Sequence, residues 1–156
     1  MQAKQIMTRK FLATTETETM GMALERMHEH RLHMLPVLAE DGTVLGVVTM
    51  FSILMRIVPN YIVTGDLESV SYAPDLGLMR RHYGELIEQP ITSVTDPEPL
   101  LVKPDESLLS VAAALLAHGR HEHALVVDEQ HVLLGVISAG DILANLKARP
   151  DEAAGA

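Results

Sequence analysis

Residues 11–57, FLATTETETMGMALERMHEHRLHMLPVLAEDGTVLGVVTMFSILMRI, lie over residues 100–146, LLVKPDESLLSVAAALLAHGRHEHALVVDEQHVLLGVISAGDILANL, without a gap at a fixed offset of 89. Ten of the 47 pairs are identical, among them Ala23/Ala112, Arg31/Arg120, Val37/Val126 and Gly46-Val47/Gly135-Val136. Most other apolar positions stay apolar. A duplication of this kind governs every later assignment, because both copies must make the same local structure.

Each copy opens on a short extended piece, residues 11–13 or 100–102. A helix follows, starting near 16–19 or 105–107, with Ser107 as a natural N-cap after Pro104. Met20, Ala23, Leu24 and Met27 stand at helical spacing in the first copy, as do Leu108, Val111, Ala112, Leu115 and Leu116 in the second. Two apolar runs come next, 34–38 and 44–48, then 124–127 and 132–137. Asp41-Gly42 between the first pair is a strong hairpin signal, and Glu129-Gln130 between the second pair a weaker one. A last apolar helix spans 51–57 and 141–146. Each copy therefore reads β-α-β-β-α over about 50 residues, too few to bury a core alone.

The expected organisation is a first repeat over 1–58, a linker over 59–88 with one helix at 75–88, a second repeat over 89–149 and a disordered tail over 150–156. The fold class is α/β (α+β), two β-α-β-β-α repeats packed as a pseudo-two-fold pair.

The 156 residues are 47% hydrophobic, enough for a packed core, with 12 basic against 21 acidic side chains. A net charge of −9 and scattered cations argue against nucleic-acid backbone binding, which draws its affinity from displaced counterions. The absence of cysteine excludes disulfides and thiolate chemistry. Only two Phe, three Tyr and no Trp occur, so aliphatic residues and nine Met must fill the core. The N-terminal MQAKQIMTRK has no apolar signal core. The most apolar stretch, 44–58, carries Thr49, Ser52 and Arg56 and falls short of the ~20 residues that span a bilayer. A soluble cytoplasmic protein without membrane insertion is expected.

The second copy ends a strand and starts a helix through Gly135-Val136-Ile137-Ser138-Ala139-Gly140-Asp141. Amides at a helix start, together with the dipole, suit an anion such as phosphate. The Ser138 hydroxyl adds a donor there. Asp141 offers two acceptors, which suits the adjacent hydroxyls of a ribose. In the first copy the same place holds Thr49 and, instead of the acid, Ser52.

This pattern, with Ile6-Met7-Thr8 at the start and Leu35-Pro36-Val37 before the turn, resembles a tandem pair of cystathionine-β-synthase (CBS) domains, a Bateman module. The likeness covers nearly the whole chain apart from the mid-linker and tail. It implies adenosine-containing ligands, with Ser138 toward phosphate and Asp141 toward ribose. Taken singly, each would be an ordinary N-cap. With the full signature, ligand contact is preferred for Ser138 and Asp141, and the cap reading for Thr49 and Ser52. A weaker second site would comprise Thr49, Ser52, His33 and Pro36. The resemblance also places basic residues before the middle strand against ligand phosphate, here Arg120, His121 and His123, with Arg31 and His33 in the first copy. They fit equally well as solvated cations at a helix C-terminus. Lys103 lies near a base and phosphate contact of the family, although a solvated lysine is the reading preferred for it. Leu101, Val102, Ala124 and Leu125 would form an apolar slot for adenine or simply belong to the core.

Six histidines cluster at equivalent places, yet the two clusters do not match residue for residue and lack metal-ligand spacing, so no metal is expected. No nucleophile–base order, P-loop or paired carboxylates appear, so no enzyme is expected. The function expected is regulatory: an adenine nucleotide or related adenosyl ligand (AMP, ADP or ATP foremost) bound as regulatory ligand, with no required cofactor, and its occupancy signalled to a regulated enzyme or transporter. The resemblance implies a homodimer, with residues 51–57 and 142–146 as candidate dimer faces. The alternative is a ligand-free dimerisation and partner-docking module, favoured by Ser52 and by Leu125 standing where the first copy has Pro36.

Overall fold

Thr19 and Ser107 start the two long helices by accepting hydrogen bonds from the amides of Met22 at 3.3 Å and Ser110 at 3.1 Å. Short polar side chains at these points satisfy donors that the helix itself leaves open. The computed structural model describes residues 1–65 and 76–147. Its first half runs α1 (Ala3–Ile6), β1 (Thr14–Thr15), α2 (Met20–Glu29), β2 (Met34–Leu38), β3 (Val44–Thr49), α3 (Met50–Ile57) and α4 (Asn60–Val63). Then come α5 (Leu76–Leu86), a 3-10 turn (Ile91–Ser93), β4 (Leu101–Val102), α6 (Leu108–His118), β5 (His123–Val127), β6 (Leu133–Ser138) and α7 (Ala139–Asn145).

Both repeats are β-α-β-β-α, and each makes a three-stranded sheet, ordered β1-β2-β3 and β4-β5-β6. The lead strands pair in parallel with the middle strands, Thr14 opposite Val37 and Val102 opposite Val126. β5 and β6 run antiparallel. Helix α5 lies where a linker helix is expected, while Asp75 and the tail fall outside the described residues. α1, α4 and the 3-10 turn are too short to show a hydrophobic period and have no counterpart in the sequence reading.

The first lead strand is a correction: it forms at Thr14–Thr15, not at 11–13. A constant offset of 89 cannot hold, because α2 has 10 residues and α6 has 11. The extra residue falls at the end of α6, where Gly119 takes φ +64° and its amide bonds the Leu115 carbonyl, a left-handed helix stop that glycine adopts freely. Upstream of that point the true offset is 88. Ala23 therefore matches Val111, both fully buried, and the identity Ala23/Ala112 is accidental.

Two compact units form, and they are not colinear with the repeats. Of the described residues, one holds 1–12, 41–44 and 98–147; the other holds 13–40, 45–65 and 76–97. In the first unit the N-terminal segment finishes the second repeat. The amides of Ala3 and Lys4 donate to the carbonyls of Glu106 and Pro104 at 2.9 Å, and Leu108 donates to Met1 at 3.0 Å. Thr8 bridges to Val136. Ala3 and Met7 join a core with Val111, Ala124, Val126, Ile137 and Ile142.

In the other unit the segment before the second repeat does the same for the first. The Met20 amide donates to Gln89, Val47 bridges to Asp96, and Ile91 and Val94 enter the core with Met20, Met27 and Val48. The paired glycines explain themselves here. A Cβ on Gly135 would meet Met7 Sδ at 2.8 Å, and one on Gly46 would meet the Asp96 carbonyl and Thr95 Cγ2.

Candidate ligand site

Strand β6 delivers Ser138 to the start of α7, and the two ends of the first turn bind each other. Ser138 N–H and its hydroxyl both donate to Asp141 Oδ2 at 2.7 Å, and Asp141 N–H donates to Ser138 Oγ at 3.0 Å. This reciprocal capping box satisfies two of the orphan donors at the helix start. The Ala139 amide donates to the Glu122 carbonyl at 2.9 Å. Of the first three amides only that of Gly140 therefore keeps no protein acceptor among the described residues. The anion-binding capacity read from the sequence is thus narrower than a bare helix start would offer. The Ser138 hydroxyl proton is held by Asp141. Oδ1 of Asp141, in contrast, takes no hydrogen bond among the described residues, and the side chain is half-buried.

The first repeat builds the same junction with different means. Ser52 N–H donates to Thr49 Oγ1 at 2.9 Å, Thr49 N–H donates to Ser52 Oγ at 3.0 Å, and the Ser52 hydroxyl donates to the Thr49 carbonyl at 2.8 Å. The Met50 amide donates to His33 O at 3.0 Å. The single oxygen of Ser52 is spent on the helix, and no second acceptor remains. His33 lends its backbone to this junction while its side chain is exposed, and Pro36 is buried in β2.

The β5–β6 register sets His123 opposite Ser138, so one predicted pair is brought together by the ladder. Leu101 sits opposite Leu125, and Leu125 opposite Val136, forming one row across the sheet. Val102, Ala124 and Leu125 are almost wholly buried, at 2%, 0% and 1% exposure, and Leu101 is half-buried. Val102 and Ala124 belong to the core of their unit. Lys103 is exposed, with its amide bonded to Glu106 Oε1 at 2.9 Å.

Arg120 forms an ion pair with Glu98 at 2.9 Å, both side chains well exposed, and His118 Nε2 bonds the Glu98 carbonyl at 3.0 Å. His121 packs beside His118 with ring centroids 5.5 Å apart. Glu98 is a participant that the sequence reading missed. Its signal was an acid in the lead-in, opposite in charge to the cation at the end of α6. Among the described residues no group of three or more His, Cys, Asp or Glu side chains could hold a metal ion. No described helix is long and apolar enough to cross a membrane.

Two β-α-β-β-α repeats, each ending its last strand in a capping box, define a class of duplicated α/β module. The family model for the CBS domain matches twice, over residues 3–59 and 91–148, and the chain belongs to that family. Solved structures share the fold at low identity. CBSX2 in complex with AMP is 20% identical with a TM-score of 0.69, covering 92% of this chain and 94% of that one. A CBS domain-containing protein of unknown function from Kribbella flavida is 22% identical at 0.70, covering 96% and 99%. The CBS domain pair of MJ0100, in complex with 5'-methylthioadenosine and S-adenosyl-L-methionine, is 15% identical at 0.68, covering 93% and 94%. No curated protein matches the sequence significantly.

Proposed function

We propose that this CBS pair is a regulatory module that binds a phosphorylated adenosine ligand, AMP, ADP or ATP foremost, at Ser138 and Asp141 and signals its occupancy to a partner protein. The observation that carries the reading is the difference between the two capping boxes. Asp141 caps α7 with one oxygen and keeps the other for a ribose hydroxyl, whereas Ser52 spends its only oxygen on α3. The AMP and S-adenosyl-L-methionine complexes of the fold relatives support the ligand class. His123, opposite Ser138, and the basic stretch with Arg120 and His121 stand toward phosphate in this reading. The first repeat, with Thr49, Ser52, His33 and Pro36, is the weaker site. The module is regulatory rather than catalytic.

Assembly is part of the same proposal. Phe51 (70% exposed) on α3, Leu109 (80%) and Leu116 (84%) on α6, Leu143 (67%) on α7 and Leu146 (66%) just beyond it leave large apolar groups in water. A second copy covering them gives a homodimer with an interface of ordinary apolar character. Light scattering at micromolar concentration should return twice the chain mass.

The ligand test is titration calorimetry with AMP on the wild type and on Asp141→Ser. That variant rebuilds the capping box of the first repeat, so the helix start survives while the spare acceptor is lost. AMP should bind the wild type and bind Asp141→Ser at least about tenfold more weakly, in keeping with a lost hydrogen bond to a charged group. Equal binding to both proteins would overturn the site. Failure of AMP, ADP, ATP and S-adenosylmethionine alike would leave the ligand-free docking module, which the burial of Ala124 and Leu125 favours.

A further inference from the structure

Counted from their N-caps, Gly21, Glu25 and His28 of α2 correspond to Leu109, Ala113 and Leu116 of α6. The two faces differ in what lies over them. The chain that leaves α5 crosses α2 at Gly21, whose amide donates to the Ile87 carbonyl at 2.9 Å. A Cβ at this position would stand 3.0 Å from that carbonyl oxygen, so the absence of a side chain allows the crossing. Beside the crossing, residues of α2, of α5 and of the segment just after it line an open groove of about 870 Å³, and Met50 contributes to its lining.

The groove walls are apolar and pliable. Met22 is 50% exposed and Tyr83 43% exposed, with Ile87 alongside. Unbranched methionine adapts to irregular apolar partners. Two carboxylates, Glu25 and Glu88, stand on the groove, exposed and without an ion-pair partner among the described residues. Neither Thr49 nor Ser52 lines it. The wall helices bond their own backbones, so they offer no row of donors and acceptors to an extended strand. A helix, which also satisfies its own backbone, is the form that fits between two helices. The carboxylates and the net charge of −9 select a positively charged occupant and favour its approach.

We propose that the α2–α5 groove is a docking site for a cationic amphipathic helix of a partner protein. The apolar stripe of that helix lies on Met22, Tyr83 and Ile87, and Lys or Arg residues flanking the stripe pair with Glu25 and Glu88. The proposal goes beyond ligand binding and does not depend on it.

Fluorescence anisotropy on the full chain tests it with a labelled Leu/Lys peptide of about 15 residues, long enough to be helical on binding, with Leu at helical spacing. A Leu/Glu peptide of the same Leu spacing is the control. The Leu/Lys peptide should bind, and the Leu/Glu peptide should not. Glu25→Gln/Glu88→Gln and Met22→Ala should each weaken binding about fivefold, the scale of two exposed ion pairs or one half-buried side chain.

A Glu40→Gln/Glu129→Gln variant, which removes exposed acids that do not line the groove, should bind as the wild type does. An equal loss in that variant would reduce the effect to net charge and overturn the proposal. So would absence of binding, or unaltered binding in the groove variants. If Met22→Ala turns a dimer into a monomer by light scattering, the groove belongs to a second copy and the proposal fails. Asp141→Ser should bind the peptide normally, so failure at the nucleotide site and failure at the groove are read separately.

Discussion

The two repeats meet the same local problem, a strand that must turn into a helix, and solve it with different residues. Thr49 and Ser52 close a capping box in which Ser52 both accepts from and donates to Thr49. Ser138 and Asp141 close theirs with one carboxylate oxygen and leave the other unused. Structurally the junctions are equivalent, since each caps a helix of similar length. Chemically they are not. That one extra acceptor is what makes Ser138 and Asp141 the stronger of the two sites in the proposed function. The same contrast appears at the long helices, where Gly21 of α2 is crossed by the α5 tail while Leu109 of α6 stays 80% exposed.

The largest effect that tests this comparison comes from the paired glycines. Gly46→Ala forces a methyl against the Asp96 carbonyl, a backbone atom that cannot step aside, whereas Gly135→Ala meets only side-chain atoms of Met7, Cγ and Sδ at 2.8 Å and Cβ at 3.0 Å, and a side chain gives way more readily than backbone. Gly46→Ala should cost about 3 kcal/mol and Gly135→Ala about 1 kcal/mol, within the range for overpacked cores. Chemical denaturation measures both, and equal costs would break the asymmetry.

Next comes Ser52→Asp, which gives the first repeat the spare acceptor. If the carboxylate is what differs, calorimetry with AMP should show a second site, with a gain of about 1.5–3 kcal/mol at that repeat. Unchanged stoichiometry would mean that residues other than position 52 silence the first repeat.

A smaller effect concerns Thr14. It is fully buried with an Oγ1 that finds no partner among the described residues, and its structural counterpart in the second repeat is Val102. Thr14→Val should raise stability by about 1 kcal/mol by removing an unsatisfied buried hydroxyl. A lower denaturation midpoint in the variant would show that the hydroxyl is used in the folded protein.

The smallest effect lies in the hairpin turns. Asp41 Oδ1 accepts from the Thr43 hydroxyl at 2.7 Å and from its amide at 3.1 Å, and these bonds hold the Asp41 carboxyl below its ordinary value. Because the folded value is depressed, the contribution is present above the unfolded pKa of about 3.9 and is lost as pH falls through the folded value. Asp41→Asn should therefore lower the melting temperature slightly at pH 7 and leave it unchanged near pH 2. An equal loss at both pH values would assign the effect to turn geometry rather than charge.

Much of this was legible in the residues themselves. Apolar spacing, the Ser107 cap, Asp41-Gly42 and the duplicated glycine pair specify two β-α-β-β-α repeats, because these are properties of near neighbours and repeat along the chain. The same is true of Ser138 and Asp141, three residues apart across one helix start. The helix offset was not legible, because an ungapped match tolerates one extra residue as long as the flanking apolar runs still overlap. Gly119 became a helix stop only once Leu115 stood one turn before it.

Other features could be decided only by tertiary structure, since they depend on residues far apart in sequence. Residues 1–8 complete the sheet and core built from the second repeat, and residues 89–96 those of the first. Which amides at the start of α7 stay free, and which face of α2 is crossed at Gly21, likewise follow from where the distant Glu122 and Ile87 carbonyls come to lie. Periodicity along a chain records which side of an element is apolar. It carries no information on which remote segment will cover that side, because many segments are apolar enough and only simultaneous packing and backbone hydrogen bonding select one.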